Sequence, residues 1–116
     1  MKILLSFDLS TDGDYQGLYT WLDNNNAVEC GTSCAQIDLK SKKGLGKPWQ
    51  SLIKDLQNDI KKNVKIKDGL FNDRIHVTFK TNNEIKSGFL FGKRKKAPWS
   101  GYAINSENDG RLELNE

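Results

Sequence analysis

Two cysteines, two prolines, one histidine and one methionine are all that this 116-residue chain holds of those four types. Cys30 and Cys34 form a C-x3-C pair, and with the lone His76 far away they fall short of the four ligands of a structural zinc. They read as two reduced thiols packed as small apolar groups in a reducing compartment, a cross-strand disulfide requiring export. The chain has no Walker loop, no G-x-G-x-x-G and no nucleophile elbow, which removes the familiar nucleotide-binding and serine-hydrolase signatures. No apolar run approaches the roughly 20 residues of a membrane span. Met1-Lys2 leads straight into a strand-like segment without a cleavable signal pattern, so a cytoplasmic protein with no membrane partner is expected.

The 36% hydrophobic and 28% charged fractions are those of a folding chain, with Trp21, Trp49 and Trp99 spread along it. The size suits one domain, here taken as residues 1–116 with an extension from about residue 97. The net charge of +3 conceals an asymmetry. Residues 1–39 hold one base against six acids, residues 40–96 hold 16 bases against five acids, and residues 97–116 hold one base against four acids. A basic middle between acidic ends suits a protein that meets a polyanion with one face. It suits equally a subunit whose acidic end docks on a neighbour's basic middle.

Lys2 to Phe7 is a nearly continuous apolar run, the pattern of a central strand buried on both faces. It stops at Asp8, and Asp12-Gly13 makes a turn. Tyr15, Leu18, Tyr19 and Leu22 then fall on one helical stripe that Asp14 or Thr11 caps and Asn24-Asn25-Asn26 ends. Ala27 to Leu39 reads as a hairpin around a Gly31-Thr32-Ser33 loop, followed by a Gly- and Lys-rich connector from Lys40 to Lys47. Pro48 opens a second helix with the stripe Trp49, Leu52, Ile53, Leu56 and Ile60, closed by Lys61 and Lys62. After a polar connector, Arg74 to Lys80 alternates as a half-buried strand. Gly88 to Phe91, Gly101 to Asn105 and Arg111 to Leu114 are further strand-like pieces. Strand, helix, strand, strand, helix, strand is the order of a ferredoxin-like α+β domain: an antiparallel sheet, two helices on one face, and extra C-terminal strands. The uncovered face would serve a dimer contact.

Three stretches, S-F-D-L-S-T-D-G-D-Y-Q-G-L-Y, N-A-V-E-C-G-T-S-C-A-Q-I-D-L and R-I-H-V-T-F, carry a resemblance over roughly residues 2–80. Together they resemble the family of the second CRISPR-associated adaptation protein, a grouping that takes in virulence-associated protein D toxins. Ala97 to Tyr102, A-P-W-S-G-Y, is similar to the end of some relatives. The resemblance implies a ferredoxin-like homodimer whose C-terminal strand often passes to the partner. It also implies, for some members, a magnesium-dependent nuclease in which the first-strand Asp of each subunit faces its mate across the dimer axis. Others bind nucleic acid and cut nothing. Only Asp8 matches that motif, and Ser10 to Tyr15 departs from the basic stretch with which the family's first helix often opens.

The expected site therefore has Asp8 as catalytic residue and ligand of Mg2+ or Mn2+, which would neutralise phosphodiester charge and lower the pKa of a bound water. The rival for Asp8 is a carboxylate that accepts backbone N–H bonds after the strand. Asp12 and Asp14 are candidates for a further ligand, though both stand where turns and caps use Asp. Two basic patches, Lys93-Arg94-Lys95-Lys96 and Lys40, Lys42 and Lys43, are candidate grips for RNA or DNA phosphates, or simply solvated faces. Trp99 and Tyr102 are candidate base platforms, Trp49 is read as helix core and His76 as a surface or dimer-face residue. The function expected is nucleic-acid binding, with metal-dependent endoribonuclease activity of a defence or toxin–antitoxin kind. The alternative is a non-enzymatic protein-binding module such as an antitoxin, an immunity protein or a phage-encoded inhibitor.

Overall fold

The structure, a computed structural model, describes residues 1–39, 48–67, 72–93 and 96–103. Seven elements follow in order: β1 (Lys2–Asp8), α1 (Tyr15–Asn24), β2 (Val28–Gly31), β3 (Cys34–Asp38), α2 (Trp49–Asn63), β4 (Arg74–Lys80) and β5 (Ile85–Phe91). The strands form one antiparallel sheet in the order β2-β3-β1-β4-β5, so β1 lies at its centre and β5 extends the sheet beyond β4. No helix among the described residues is long and apolar enough to cross a membrane.

Alternation along the strands decides where the core sits. Ile3 and Leu5 of β1, Ala35 and Ile37 of β3, and Ile75, Val77 and Phe79 of β4 point to one face and are buried. There they meet Leu18, Trp21 and Leu22 of α1 and Leu56 and Ile60 of α2 in a single cluster. Because both helices pack on that face, β1 is not buried on both sides, as its apolar run suggests; Leu4 stays 41% exposed and Ser6 is exposed. Trp49 is likewise half out of the core, its ring 5.9 Å from that of Phe79, and His76 packs edge-on against Phe89 on the open face.

Each helix start follows its local chemistry. Asp14 caps α1 by accepting the Gly17 N–H at 2.9 Å, and its other oxygen accepts the Lys65 N–H at 2.9 Å, so one carboxylate joins the start of α1 to the chain leaving α2. Buried Trp21 donates from Nε1 to Asp59 at 2.9 Å, a second tie between the helices. Gly17 permits this close approach: a Cβ there would sit 2.9 Å from the Asn63 carbonyl oxygen and press on the Asp14 carboxylate. A mid-helix Gly→Ala change ordinarily gains about 1 kcal/mol. Gly17→Ala is expected to do the opposite, lowering stability by about 1–2 kcal/mol through overpacking, read as a lower urea midpoint.

Three expectations need correction. The β2–β3 loop is two residues, not three: Gly31 pairs with Cys34, and a bulge between Glu29 and Gly31 absorbs the extra length. Strand β5 begins at Ile85, earlier than its apolar run, because the ladder with β4 carries Ile85, Lys86 and Ser87 as well. Gly101 to Asn105 is not a strand over its described part. Pro98 to Gly101 is a turn that runs into helical Tyr102 and Ala103, with the Ser100 N–H donating to the Ala97 carbonyl and the Tyr102 N–H to the Trp99 carbonyl. Gly101 adopts φ +86°, which interrupts an extended chain. Arg111 to Leu114 lies outside the described residues.

Candidate functional site

Antiparallel pairing places the end of β1 beside the start of β4, so Asp8 stands directly opposite Arg74 in the ladder. The Arg74 guanidinium donates to the Asp8 carboxylate from Nη2. Asp8 therefore ends the central strand, as the sequence suggests, but its partner is a cation from β4 rather than backbone N–H groups. The pair lies at the surface, with the Asp8 side chain 64% exposed, a setting in which an ion pair contributes about 0–1 kcal/mol. A competing anion can therefore draw on the same guanidinium, which carries five N–H donors in a fixed fork.

This pair forms one wall of an open cleft of about 600 Å3, lined by Asp8, Leu9, Ser10, Thr11, Asp12, Asn72, Arg74 and Lys93. The β1–α1 loop supplies the other wall and is shaped by its turn residues. The Gly13 N–H donates to Ser10 at 2.8 Å, and Asp12 pairs with Lys67. The hydrogen bond from Lys67 holds the Asp12 carboxyl below the usual carboxylate range. The Lys65 and Gly17 backbone N–H groups do the same for Asp14. Both remain charged through neutral pH, and both are occupied in holding the loop.

Beneath the cleft lies Asp73, the one buried charged side chain among the described residues. Its Oδ1 accepts the Ser10 N–H at 2.7 Å and the Ser10 hydroxyl at 3.0 Å, and its Oδ2 accepts the Lys67 N–H at 2.8 Å. The Asp73 N–H returns a bond to the Lys67 carbonyl at 3.0 Å. One carboxylate thus clips the β1–α1 loop to the segment entering β4 and fixes its neighbours Asn72 and Arg74 in the cleft wall. Asn72 Oδ1 is buried and, among the described residues, meets no donor.

Lys93 reaches the cleft because β5 bends as it ends. His76 pairs with Phe89 and Ile75 with Phe91, leaving Leu90 as the extra, buried residue of a bulge. Gly92 follows at φ +76°, where a Cβ would lie 2.6 Å from the Asp73 carbonyl oxygen. Of the first basic patch, Lys93 lines the cleft, Lys96 is exposed, and Arg94 and Lys95 lie outside the described residues, as do Lys40, Lys42 and Lys43. Trp99 and Tyr102, 75% and 71% exposed, have no core role.

Among the described residues no three His, Cys, Asp or Glu side chains are grouped to hold a metal ion. Asp8 meets a guanidinium, and Asp12 and Asp14 are turned to Lys67 and to backbone donors, so the described part of one chain does not fit a Mg2+ or Mn2+ centre by itself. Arg74, Asn72 and Asp73 carry no motif. The signal for Arg74 was its place as the first residue of a strand antiparallel to one that ends in Asp8.

Comparison with known proteins finds no matching family model, no matching curated protein and no matching solved structure.

Proposed function

We propose that this chain is a nucleic-acid-binding protein of ferredoxin-like architecture, extended by β5, and that the cleft between β1 and β4 takes the phosphate backbone of single-stranded RNA or DNA. The observation that carries the reading is the gathering of Arg74 and Lys93 with Thr11 in one open, polar cleft. An arginine fork held, among the described residues, only by an exposed carboxylate matches a phosphate bidentately. Lys93, which lines the cleft, opens the basic run Lys93 to Lys96 in the sequence, and the exposed Trp99 and Tyr102 that follow in sequence suit stacking on unpaired bases. In this reading Asp8 guards Arg74. A role for Asp8 as Mg2+ or Mn2+ ligand in RNA cleavage belongs to the same proposal only with a second carboxylate from a homodimer partner.

The test is binding of a labelled single-stranded RNA, and its DNA counterpart, across a series of salt concentrations by wild type and Asp8→Asn. Expected is binding of one or both strands that weakens with salt, and an Asp8→Asn variant that binds a fewfold more tightly because the guanidinium is released. Salt-independent or absent binding would sink the reading. Gels of the same samples with Mg2+, Mn2+ or EDTA read cleavage, and cutting lost in Asp8→Asn would assign the metal to Asp8.

A second reading, a protein-binding module or homodimer, rests on the open sheet face. There Leu4, Val28, Ile85 and Phe89 remain exposed beside Gln36 and Thr78. Four exposed apolar side chains on one sheet surface mark an interaction face. Co-purification of a partner without RNA or DNA affinity would favour it over the first.

A further inference from the structure

The bulge in the β2–β3 hairpin has a chemical consequence. Residues 30 and 31 together oppose Cys34, so Cys30 is brought beside it across the turn. The two Sγ atoms lie 3.2 Å apart, and both thiols are free. Alternation places Cys34, flanked by buried Ala35, on the open face of the sheet, and Cys30 is exposed at the edge strand. This is not the packed, inert pair that the composition suggests, since neither thiol is buried.

We propose that Cys30 and Cys34 form a redox-active dithiol that closes to an intramolecular disulfide by exchange with a low-molecular-weight disulfide such as oxidised glutathione. Contact between the sulfurs leaves only a small side-chain rotation before the bond length of about 2.05 Å is reached. The exposed Cys30 acts first. Its thiolate attacks one sulfur of the oxidant, the oxidant's S–S bond breaks, and one thiolate leaves, giving a mixed disulfide on Cys30. The Cys34 thiolate then attacks Cys30 Sγ, forms the Cys30–Cys34 bond and expels the second thiolate. The two protons given up by the cysteines end on the two released thiols. The protein pair is oxidised by two electrons and the low-molecular-weight disulfide is reduced by two. The order of attack agrees with the thiol–thiol contact, which with desolvation pushes the Cys34 thiol up from its ordinary value.

The loop so closed is not remote from the rest of the sheet. Ser33 lies within it and accepts the Phe7 N–H at 3.0 Å, and Cys34 pairs with Ser6 of β1. Oxidation therefore fastens a turn that is already bonded to the end of β1, the strand that presents Asp8.

The experiment equilibrates the full chain in glutathione buffers from fully reduced to fully oxidised, then quenches with an alkylating reagent and weighs the intact protein. Expected is one transition in which both alkylations vanish together, the mass falls by two hydrogens, and no glutathione remains attached. Cys30→Ser and Cys34→Ser are each expected to stop at a glutathione adduct on the remaining thiol. A wild type that accumulates the adduct, links two chains, or keeps both thiols alkylatable in excess oxidised glutathione overturns the proposal.

Discussion

Asp73→Ala is expected to lower the unfolding free energy by about 3 kcal/mol, because three donors that now meet one carboxylate lose their acceptor at roughly 1 kcal/mol each. The donors are the Ser10 N–H, the Ser10 hydroxyl and the Lys67 N–H, gathered on a side chain that is 1% exposed. For a domain whose total stability is of the order of 5–15 kcal/mol this is a large fraction. Asp73→Asn keeps one acceptor oxygen and turns an NH2 group toward a donor, so about half of that loss is expected. Urea unfolding of the three proteins checks the order wild type, Asn, Ala. A surface role for Asp73, with no change in midpoint beyond error, would show that the clip does not hold the loop. The same variants should also widen the distribution of cleft geometries, since Asn72 and Arg74 flank the clip in sequence.

Arg74→Ala is expected to weaken single-stranded RNA or DNA binding about tenfold near 0.1 M salt and to reduce the slope of log K against log salt by about 0.7, the loss of one phosphate contact. The effect should exceed that of removing any one lysine, because Arg74 is the fork-shaped donor of the cleft and its loss leaves Asp8 unpaired facing the phosphate. Combining Arg74→Ala with Asp8→Asn separates the two causes. If repulsion from the bared carboxylate contributes, the double variant recovers part of the affinity. If Arg74→Ala binds as wild type does, with the slope unchanged, the phosphate does not enter this cleft.

The three early aspartates show how much of the site was legible. The helical stripe offered Asp14 or Thr11 as its cap; the structure chooses Asp14 and adds that its second oxygen reaches Lys65, far along the chain. Asp12 before Gly13 followed as a turn, and the structure adds its pairing with Lys67. Asp8 followed as the end of a strand, but its partner did not, because a β-ladder joins residues by register rather than by proximity in sequence. Asp73 was invisible for a different reason. It sits in a polar connector with no periodicity, and only the return of that connector under the β1–α1 loop makes it a buried acceptor.

Local chemistry determined the elements themselves: alternation in Arg74 to Lys80, the stripes of α1 and α2, and Pro48 before Trp49 all act over a few residues, where propensity and periodicity operate. The same local information left β1 with two buried faces and Cys30 with a buried thiol. Tertiary structure decided otherwise, because both helices share one side of the sheet and leave the other to solvent. It alone set Arg74 against Asp8, gathered three donors on Asp73, and turned Gly92 so that Lys93 meets the cleft. Each of these depends on which strands pair and in what register, a choice made by burying the whole apolar set at once rather than by any one segment.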